Sequence, residues 1–388
     1  MERMTPILIL FGFLFILLLP DIYIWFVHLR NAAVVWRVLW WLPTLAVLVT
    51  LFLFVHQGAS PSLLSVFTGL VLCMVLPKLL FAVFSLFGQL IGMAWPLASR
   101  VGKGLGLFTS VVLALAMIYG WQFGWKNLSV KQVELSFDNL PAEFDGYKIV
   151  QLSDLHIGTY RNNPAFLEKL VQRVNNEKAD LIVFTGDLIN TSSEEIAPFE
   201  QLLSSMQAKD GVLSVLGNHD YCIYAMSRQR PANFREATKP VIEAERRMGW
   251  DLLLNDHRMV SRGAAQIALV GVENTGKPPF PEIGDLKGAI AGIPEGTFII
   301  LLSHDPSHWR MEVLPETDIP LTLSGHTHAA QVKFGKWSPS KWLYSEWGGL
   351  YNECNQRLYV SEGIGGSIPF RLGTKPEIVV FTLRTKSA

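Results

Sequence analysis

IPLTLSGHTH, residues 319–328, is a short apolar run that breaks into a polar cluster and ends on two histidines one residue apart. Alternate side chains of a strand share a face, so His326 and His328 point the same way if the strand persists. In a loop just past the strand they converge on one point. Either geometry suits metal ligation, and the chain has only nine histidines in 388 residues. The same shape recurs. YKIVQLSDLH (147–156), ADLIVFTGDL (179–188), GVLSVLGNHD (211–220) and TFIILLSHDP (297–306) are apolar runs that stop at Asp, Asn or His. Helix-like segments fall between the early ones, around 164–176 and 194–207. Buried strands alternating with helices predict an α/β domain. The strand ends of such a domain meet along one sheet edge, where α/β folds place their sites. DLLLND, QIALVGVEN, RLYVSEG and EIVVFTLR add further strands, which predicts two packed sheets.

The strand-end residues are Asp154, His156, Asp187, Asn218, His219, His304, His326 and His328. Each alone has a plain reading as a capped turn or a surface loop. Together, on five successive strand ends, they read as one site. Imidazole, carboxylate and amide oxygen ligands suit Zn, Mn or Fe. The cysteines are Cys73, Cys222 and Cys354, with no CxxC spacing, so a thiolate zinc site is not expected. One carboxylate shared by two ions holds them roughly 3.5–4 Å apart, and such a pair acidifies water and clamps phosphoryl oxygens.

The ordered set DLH, GD, GNHD, a later His and GHTH resembles the five signatures of the calcineurin-like metallophosphoesterase superfamily, over about residues 145–383. The resemblance implies a four-layer α/β/β/α sandwich and a phosphoesterase with two divalent metal ions. It implies that Asp154, His156, Asp187 and His328 hold the first metal. Asp187 then bridges to a second, completed by Asn218, His304 and His326. His219 would polarise the phosphoryl oxygen or protonate the leaving group, and Asp220 would orient its imidazole. GHTHAAQ, GLY and LYVSEGIGGSIPFRLGTKPEI are also similar to the membrane-associated bacterial metallophosphoesterases of the YkuE/YaeI type. Many of those have GHTHGGQ and SRGIG where this chain has Ala329-Ala330 and Ser361-Glu362-Gly363. Glu362 in place of a basic residue is a candidate for altered substrate preference.

The first third of the chain is of another kind. Charged residues are scarce before about residue 125, which predicts a transmembrane domain over 1–127 and a catalytic domain over 128–388. Residues 5–27 are long enough to span a bilayer of roughly 30 Å hydrocarbon thickness. A signal peptide is not expected, because no small-residue cleavage site follows. Further spans are expected near 36–56, 62–97 and 105–124, the third as one long, kinked or tilted helix interrupted by Pro77-Lys78, with a split into two helices as the alternative. The spans show no cluster of ionisable groups, so anchoring is the expected role of this part. Arg30, Arg37, Arg100 and Lys103 place the first and third loops in the cytoplasm, hence the catalytic domain on the outer face of a cell (inner) membrane. A zero formal net charge gives no field for nucleic acid.

A domain fixed at the bilayer favours a phospholipid or lipid-linked phosphate as substrate. VKFGKWSPSKWLYSEWGGLY (332–351) mixes Trp and Tyr with Lys333, Lys336 and Lys341, the composition of an interfacial segment. It starts just after His328 and is expected to border the site. Residues 227–247 are the expected substrate cap, with Arg228, Arg230 and Arg235 as phosphate contacts. His28 and His56 read as interfacial, His257 as a turn residue and His308 as a surface residue.

Overall fold

The computed structural model describes residues 4–57, 61–161, 163–224, 234–276 and 280–386. The chain divides into two compact units, Met1–Gln122 and Phe123–Ala388. In the first, α1 (Met4–Ile24) continues through a π-helical turn, Trp25–Leu29, and α2 is Val34–Gln57. Next, α3 (Pro61–Leu70), a π turn (Val71–Val75) and α4 (Leu76–Gly92) make one uninterrupted rod, and α5 is Pro96–Gln122. Pro77 offers no N–H to the carbonyl four residues earlier, and the widened turn lies over that gap. Among the described residues four stretches are long and apolar enough to cross a membrane: Leu10–Leu29, Val34–Phe54, Ser62–Gly92 and Pro96–Lys126.

Small residues let α4 and α5 approach backbone to backbone. A Cβ added at Gly88 would lie 2.7 Å from the Cα of Gly102. Ala98, Gly106 and Ser110 extend the same stripe at four-residue spacing and are buried. This is the packing that association in lipid rewards, where apolar burial gives no drive.

The spans, expected to hold no cluster of ionisable groups, contain a buried ion pair. Asp21 of α1 is fully buried and its carboxylate lies 2.9 Å from Lys78 Nζ of α4. Lys78 also donates to Thr44 Oγ1 and to the Trp40 carbonyl, both at 3.2 Å, and the Thr44 hydroxyl donates to the other Asp21 oxygen. All three ammonium protons thus find acceptors. Two turns further along the same seam, Ser85 meets Tyr23 Oη at 3.0 Å and His28 Nε2 at 2.7 Å. His28 is therefore part of a polar seam between α1 and α4.

The second unit contains two mixed sheets. The first has the order β1 (Ser129–Phe137), β12 (Glu377–Thr385), β2 (Lys148–Leu152), β3 (Leu181–Phe184), β4 (Val212–Ser214), β5 (Asp251–Leu252). The second has the order β10 (Gly349–Glu353), β11 (Gln356–Val360), β9 (Leu321–Ser324), β8 (Phe298–Leu302), β7 (Ala265–Gly271), β6 (Asp256–Arg262). β2 to β5 are parallel, as are β7, β8, β9 and β11.

The alternation of side chains sorts the layers. Ile149, Leu181, Val183 and Leu213 of the first sheet meet Ile267, Leu269, Ile300 and Leu323 of the second in one dry core. Their neighbours Val150, Leu152, Ile182 and Phe184 face outward onto α6 (Pro164–Asn176), α7 (Glu200–Leu203) and α8 (Phe234–Arg247). Val270, Leu301 and Leu358 cover the far side of the second sheet with Trp309 and α9 (Leu286–Ile290). Buried on both faces, these strands read as unbroken apolar runs rather than alternating ones. The result is the expected α/β/β/α layering. The helix expected over 164–176 is α6, whereas 194–207 contains only a 3-10 turn and the single turn α7. Trp125 packs on Tyr160 and Phe166 and belongs to this second unit.

Candidate metal centre

Five strands deliver the site residues, each just past its C-terminal end. β2 leads to Asp154 and His156, β3 to Asp187, β4 to Asn218 and His219, β8 to His304, and β9 to His326 and His328. The turns are tight. Asp154, His156, Asp187, His326 and His328 all have positive φ, between 47° and 74°. Non-glycine residues rarely adopt that region and do so at a cost of order 1–3 kcal/mol each, so the surrounding structure must enforce it. Glycines make room: a Cβ on Gly217 would lie 2.2 Å from Asp187 Oδ1, and one on Gly325 would lie 2.4 Å from Asp154 Oδ2.

Ligand atoms of Asp154, His156, Asp187 and His328 lie within 4.8 Å of one another, as do those of Asp187, His304 and His326. Asp187 belongs to both groups. The Nε2 atoms of His156 and His328 are 3.2 Å apart. His304 Nε2 lies 3.2 Å from both Asp187 Oδ2 and Asn218 Oδ1, and 3.3 Å from His326 Nδ1. Lone-pair atoms thus gather in two groups that share Asp187, and each group could hold a metal ion. The residues present fit divalent metal.

The electrostatics agree. Burial, and then the neighbouring His219, push His156 down to about 3, and burial takes His326 down to about 4. His328 is lowered well below the usual imidazole value by burial and then by His156. Neutral imidazoles are the form that ligates a metal. Burial opposes ionisation of Asp187, but His304, His219 and His156 overcome it and hold the carboxylate well below its usual range. For His304, burial disfavours the charge, yet Asp187 and Asp154 raise it to about 10.

His219 points into the same cleft. Its ring is 4.6 Å from that of His156, and its backbone N–H donates to Asp187 Oδ1 at 2.8 Å. The ring is fixed by the Asn190 carbonyl, 2.6 Å from Nδ1. Asp220, expected to orient this imidazole, sits elsewhere. Its buried carboxylate accepts the N–H groups of Asp187, Leu188 and Gly217 at 2.8 Å and of Ile189 at 3.2 Å. It clamps the loops that carry the ligands, because four converging amide donors are a stronger demand than one imidazole.

Several contributors escaped the sequence reading. Tyr224 Oη accepts from Asn218 Nδ2 at 3.0 Å, and Tyr344 Oη lies 2.7 Å from His326 Nε2. Burial raises both phenols, Tyr224 to about 12. Asp305 is buried, and its unpartnered Oδ2 lies 3.8 Å from His326 Nε2. Buried Arg371 donates to the carbonyls of Glu362, Gly363 and Gly365 at 2.7–3.0 Å, pinning the loop that presses Gly363 against Asp154. Glu362 is itself buried and tied to Lys333 and Thr374, so it faces no substrate. His308 is buried, not superficial: its ring joins Ser303 Oγ to Glu312, at 2.9 Å each. His257 lies in β6 and meets the Ala289 carbonyl at 2.9 Å. Of the expected cap arginines, Arg228 and Arg230 lie outside the described residues, and Arg235 is in α8.

The aromatic segment borders the site through Tyr344. Its tip is open: Trp342 is 75% and Leu343 74% exposed, beside Phe334 at 58%. Trp337 stands edge-on to Trp342 and stacks on Phe334. Pro339–Trp342 forms one 3-10 turn.

Residues 147–330 match the family described as calcineurin-like phosphoesterase. Residues 4–125 match one described as probable calcineurin-like phosphoesterase, transmembrane domain. A Bacillus subtilis protein named as an uncharacterized metallophosphoesterase, YkuE, is 32% identical over 263 residues, 63% of this chain and 82% of that protein. A Danio rerio transmembrane protein with metallophosphoesterase domain is 29% identical over 292 residues, 72% of this chain and 64% of its own. A crystal structure of TT1561 from Thermus thermophilus aligns with 56% of this chain and 90% of its own, at 16% identity and a TM-score of 0.37.

Proposed function

The chain belongs to the calcineurin-like phosphoesterases and carries their transmembrane domain, and from that premise we propose that it hydrolyses a phosphoester or pyrophosphate of a membrane lipid or lipid-linked sugar. Asp154, His156, Asp187 and His328 would hold one divalent cation, and Asp187, Asn218, His304 and His326 the other, with Zn, Mn or Fe suited to the donors. Such a pair supplies Lewis acidity and an acidified water.

The protein's own groups do the rest. The Asn190 carbonyl accepts the Nδ1–H of His219, so Nε2 is the ring atom left to face the substrate, and as imidazolium it would give its Nε2 proton to the departing oxygen. The Asp220 clamp keeps Asp187 in its strained turn. Replacing Asp187 by Asn tests the metal assignment: elemental analysis should find both ions depleted. Two retained ions per chain, with normal turnover of a generic aryl phosphate, would end it.

The observation that carries the lipid reading is the open Trp342–Leu343 tip on a segment bonded to His326 through Tyr344. Apolar rings beside lysines are suited to headgroup depth. Trp342→Ser with Leu343→Ser should leave hydrolysis of a small soluble phosphoester nearly intact and lower turnover of a micellar lipid phosphate at least tenfold. Equal losses on both substrates would remove the lipid reading. Tethered hydrolysis of soluble nucleotides or cell-wall phosphodiesters predicts no loss on either.

The basic residues of the first and third loops support an inner-membrane orientation with the catalytic unit outside. Cys354 is free and exposed, while Cys222 is buried, so the native thiol is a ready probe. A membrane-impermeant thiol reagent should label Cys354 in intact spheroplasts and not the Cys354→Ser variant. Labelling only after lysis would reverse the orientation.

A further inference from the structure

Two phenols flank one half of the metal centre, and neither belongs to the ligand motifs. Tyr224 follows the turn that carries Asn218 and His219, and its ring lies 4.2 Å from that of His219. Its oxygen accepts from Asn218 Nδ2, which leaves Asn218 Oδ1 turned toward His304. Tyr344 arrives from the aromatic segment and meets His326 Nε2. The other nitrogen of that ring, Nδ1, faces His304 Nε2 and so presents its lone pair to the cluster. With Nδ1 ligating a cation held by this cluster, the proton of His326 would sit on Nε2, and the Tyr344 oxygen would accept it.

Both phenol oxygens are thus acceptors toward ligand residues, and each keeps its own O–H. In that tautomer neither O–H has an acceptor among the described residues. Both rings are half-buried, and each is bonded to a residue beside His304, Tyr224 to Asn218 and Tyr344 to His326. A neutral donor left without an acceptor beside a metal centre is poised for an anionic oxygen.

We propose that Tyr224 and Tyr344 form a paired hydrogen-bond subsite that grips the non-reacting oxygens of the substrate's phosphoryl group. The subsite rests on the phosphoesterase reading above and adds two substrate-binding residues to it. It also gives the aromatic segment a direct part in binding, since Trp342 and Leu343 stand immediately before Tyr344 in the chain.

The test uses the full-length, metal-reconstituted chain with Tyr224→Phe, Tyr344→Phe and the double variant, which keep the rings and remove only the hydroxyls. Three quantities are measured: metal content, affinity for inorganic phosphate by titration calorimetry, and kcat and KM on a soluble aryl phosphate. All variants should keep the wild-type metal content. Phosphate Kd should rise about three- to tenfold per hydroxyl, the scale of one neutral hydrogen bond. The double variant should lose roughly the product of the two, with KM following. Unchanged phosphate affinity in the double variant would overturn the subsite. Loss of metal on removing either hydroxyl would overturn it too, because the phenols would then serve only to hold the ligands. Wild-type protein that binds no metal or hydrolyses nothing would instead sink the underlying phosphoesterase reading, and is seen before any variant is made.

Discussion

Replacing Asp220 by Asn separates two accounts of that residue. The buried carboxylate accepts four backbone N–H groups, from Asp187, Leu188, Ile189 and Gly217. Asparagine keeps one oxygen, and its amide nitrogen then points two donors at amides that are donors themselves. At least two of the four N–H groups lose their acceptor in a site with no access to water. A buried donor left unpaired costs about 1–3 kcal/mol, so the loss should be about 2–6 kcal/mol. Against a typical stability of about 5–15 kcal/mol that is a large share. At about 2–4 °C per kcal/mol for a unit of this size, the melting midpoint should fall by roughly 4–24 °C. Because two of the amides belong to Asp187 and Leu188, bound metal should fall as well. The assay is thermal unfolding of the purified chain in detergent, with metal analysis of the same sample. A variant that melts with the wild type and holds its metals, yet turns over slowly, would refute the clamp and return Asp220 to orienting His219.

His219→Ala should keep both metals and lose roughly 10²–10⁴-fold in rate, the scale of acid–base assistance; loss of metal would make His219 a ligand. Ala330 is exposed with φ near 47°, so Ala330→Gly removes about 1–2 kcal/mol of left-handed strain. Unfolded-chain entropy returns part of that, leaving about 0.5–1 kcal/mol of net stabilisation in denaturant titrations, and a destabilised variant would show the turn is not strained. Burial, and then Asp220, raise the carboxyl of Glu245 well above its usual value. A group raised in the folded state gives stability that is complete below its unfolded value near 4.3 and fades as pH climbs toward the folded one. Glu245→Gln should therefore flatten the fall in stability as pH rises above about 4.3, and an unchanged pH profile would show that Glu245 does not titrate with folding.

The layered domain was legible because its strands are buried on both faces. Such strands appear as unbroken apolar runs, and each run here stops abruptly where the chain turns toward the cleft. Residues that act by side-chain identity on a strand end, such as Asp154 or His328, stand out against that background. Tyr224 and Tyr344 did not, because a tyrosine in a loop has many ordinary uses and only folding brings these two to Asn218 and His326. Asp220 was misread for a related reason: adjacency to His219 in sequence suggested contact, while the tight turn sends its carboxylate back into the loops. The Asp21–Lys78 pair was missed because each charge stands alone in an apolar window, and only packing of α1 on α4 joins them.

That pair has a consequence for how the protein is made. Asp21 emerges during synthesis 57 residues before Lys78, and both fall near the middle of their spans. On insertion scales, a lone Asp or Lys at a helix centre opposes partitioning by about 2.5–3.5 kcal/mol. The apolar residues around each charge outweigh this, so either helix can enter the bilayer, but α1 enters with an unmet charge. It is not in its final state until the third crossing arrives. Assembly of the first three crossings is therefore ordered by electrostatics as well as by sequence: the first helix waits for Lys78, and α5 joins after it. A chain truncated before that residue would leave a membrane helix with an exposed acid, the kind of defect by which membrane quality control can tell an unfinished protein from a complete one.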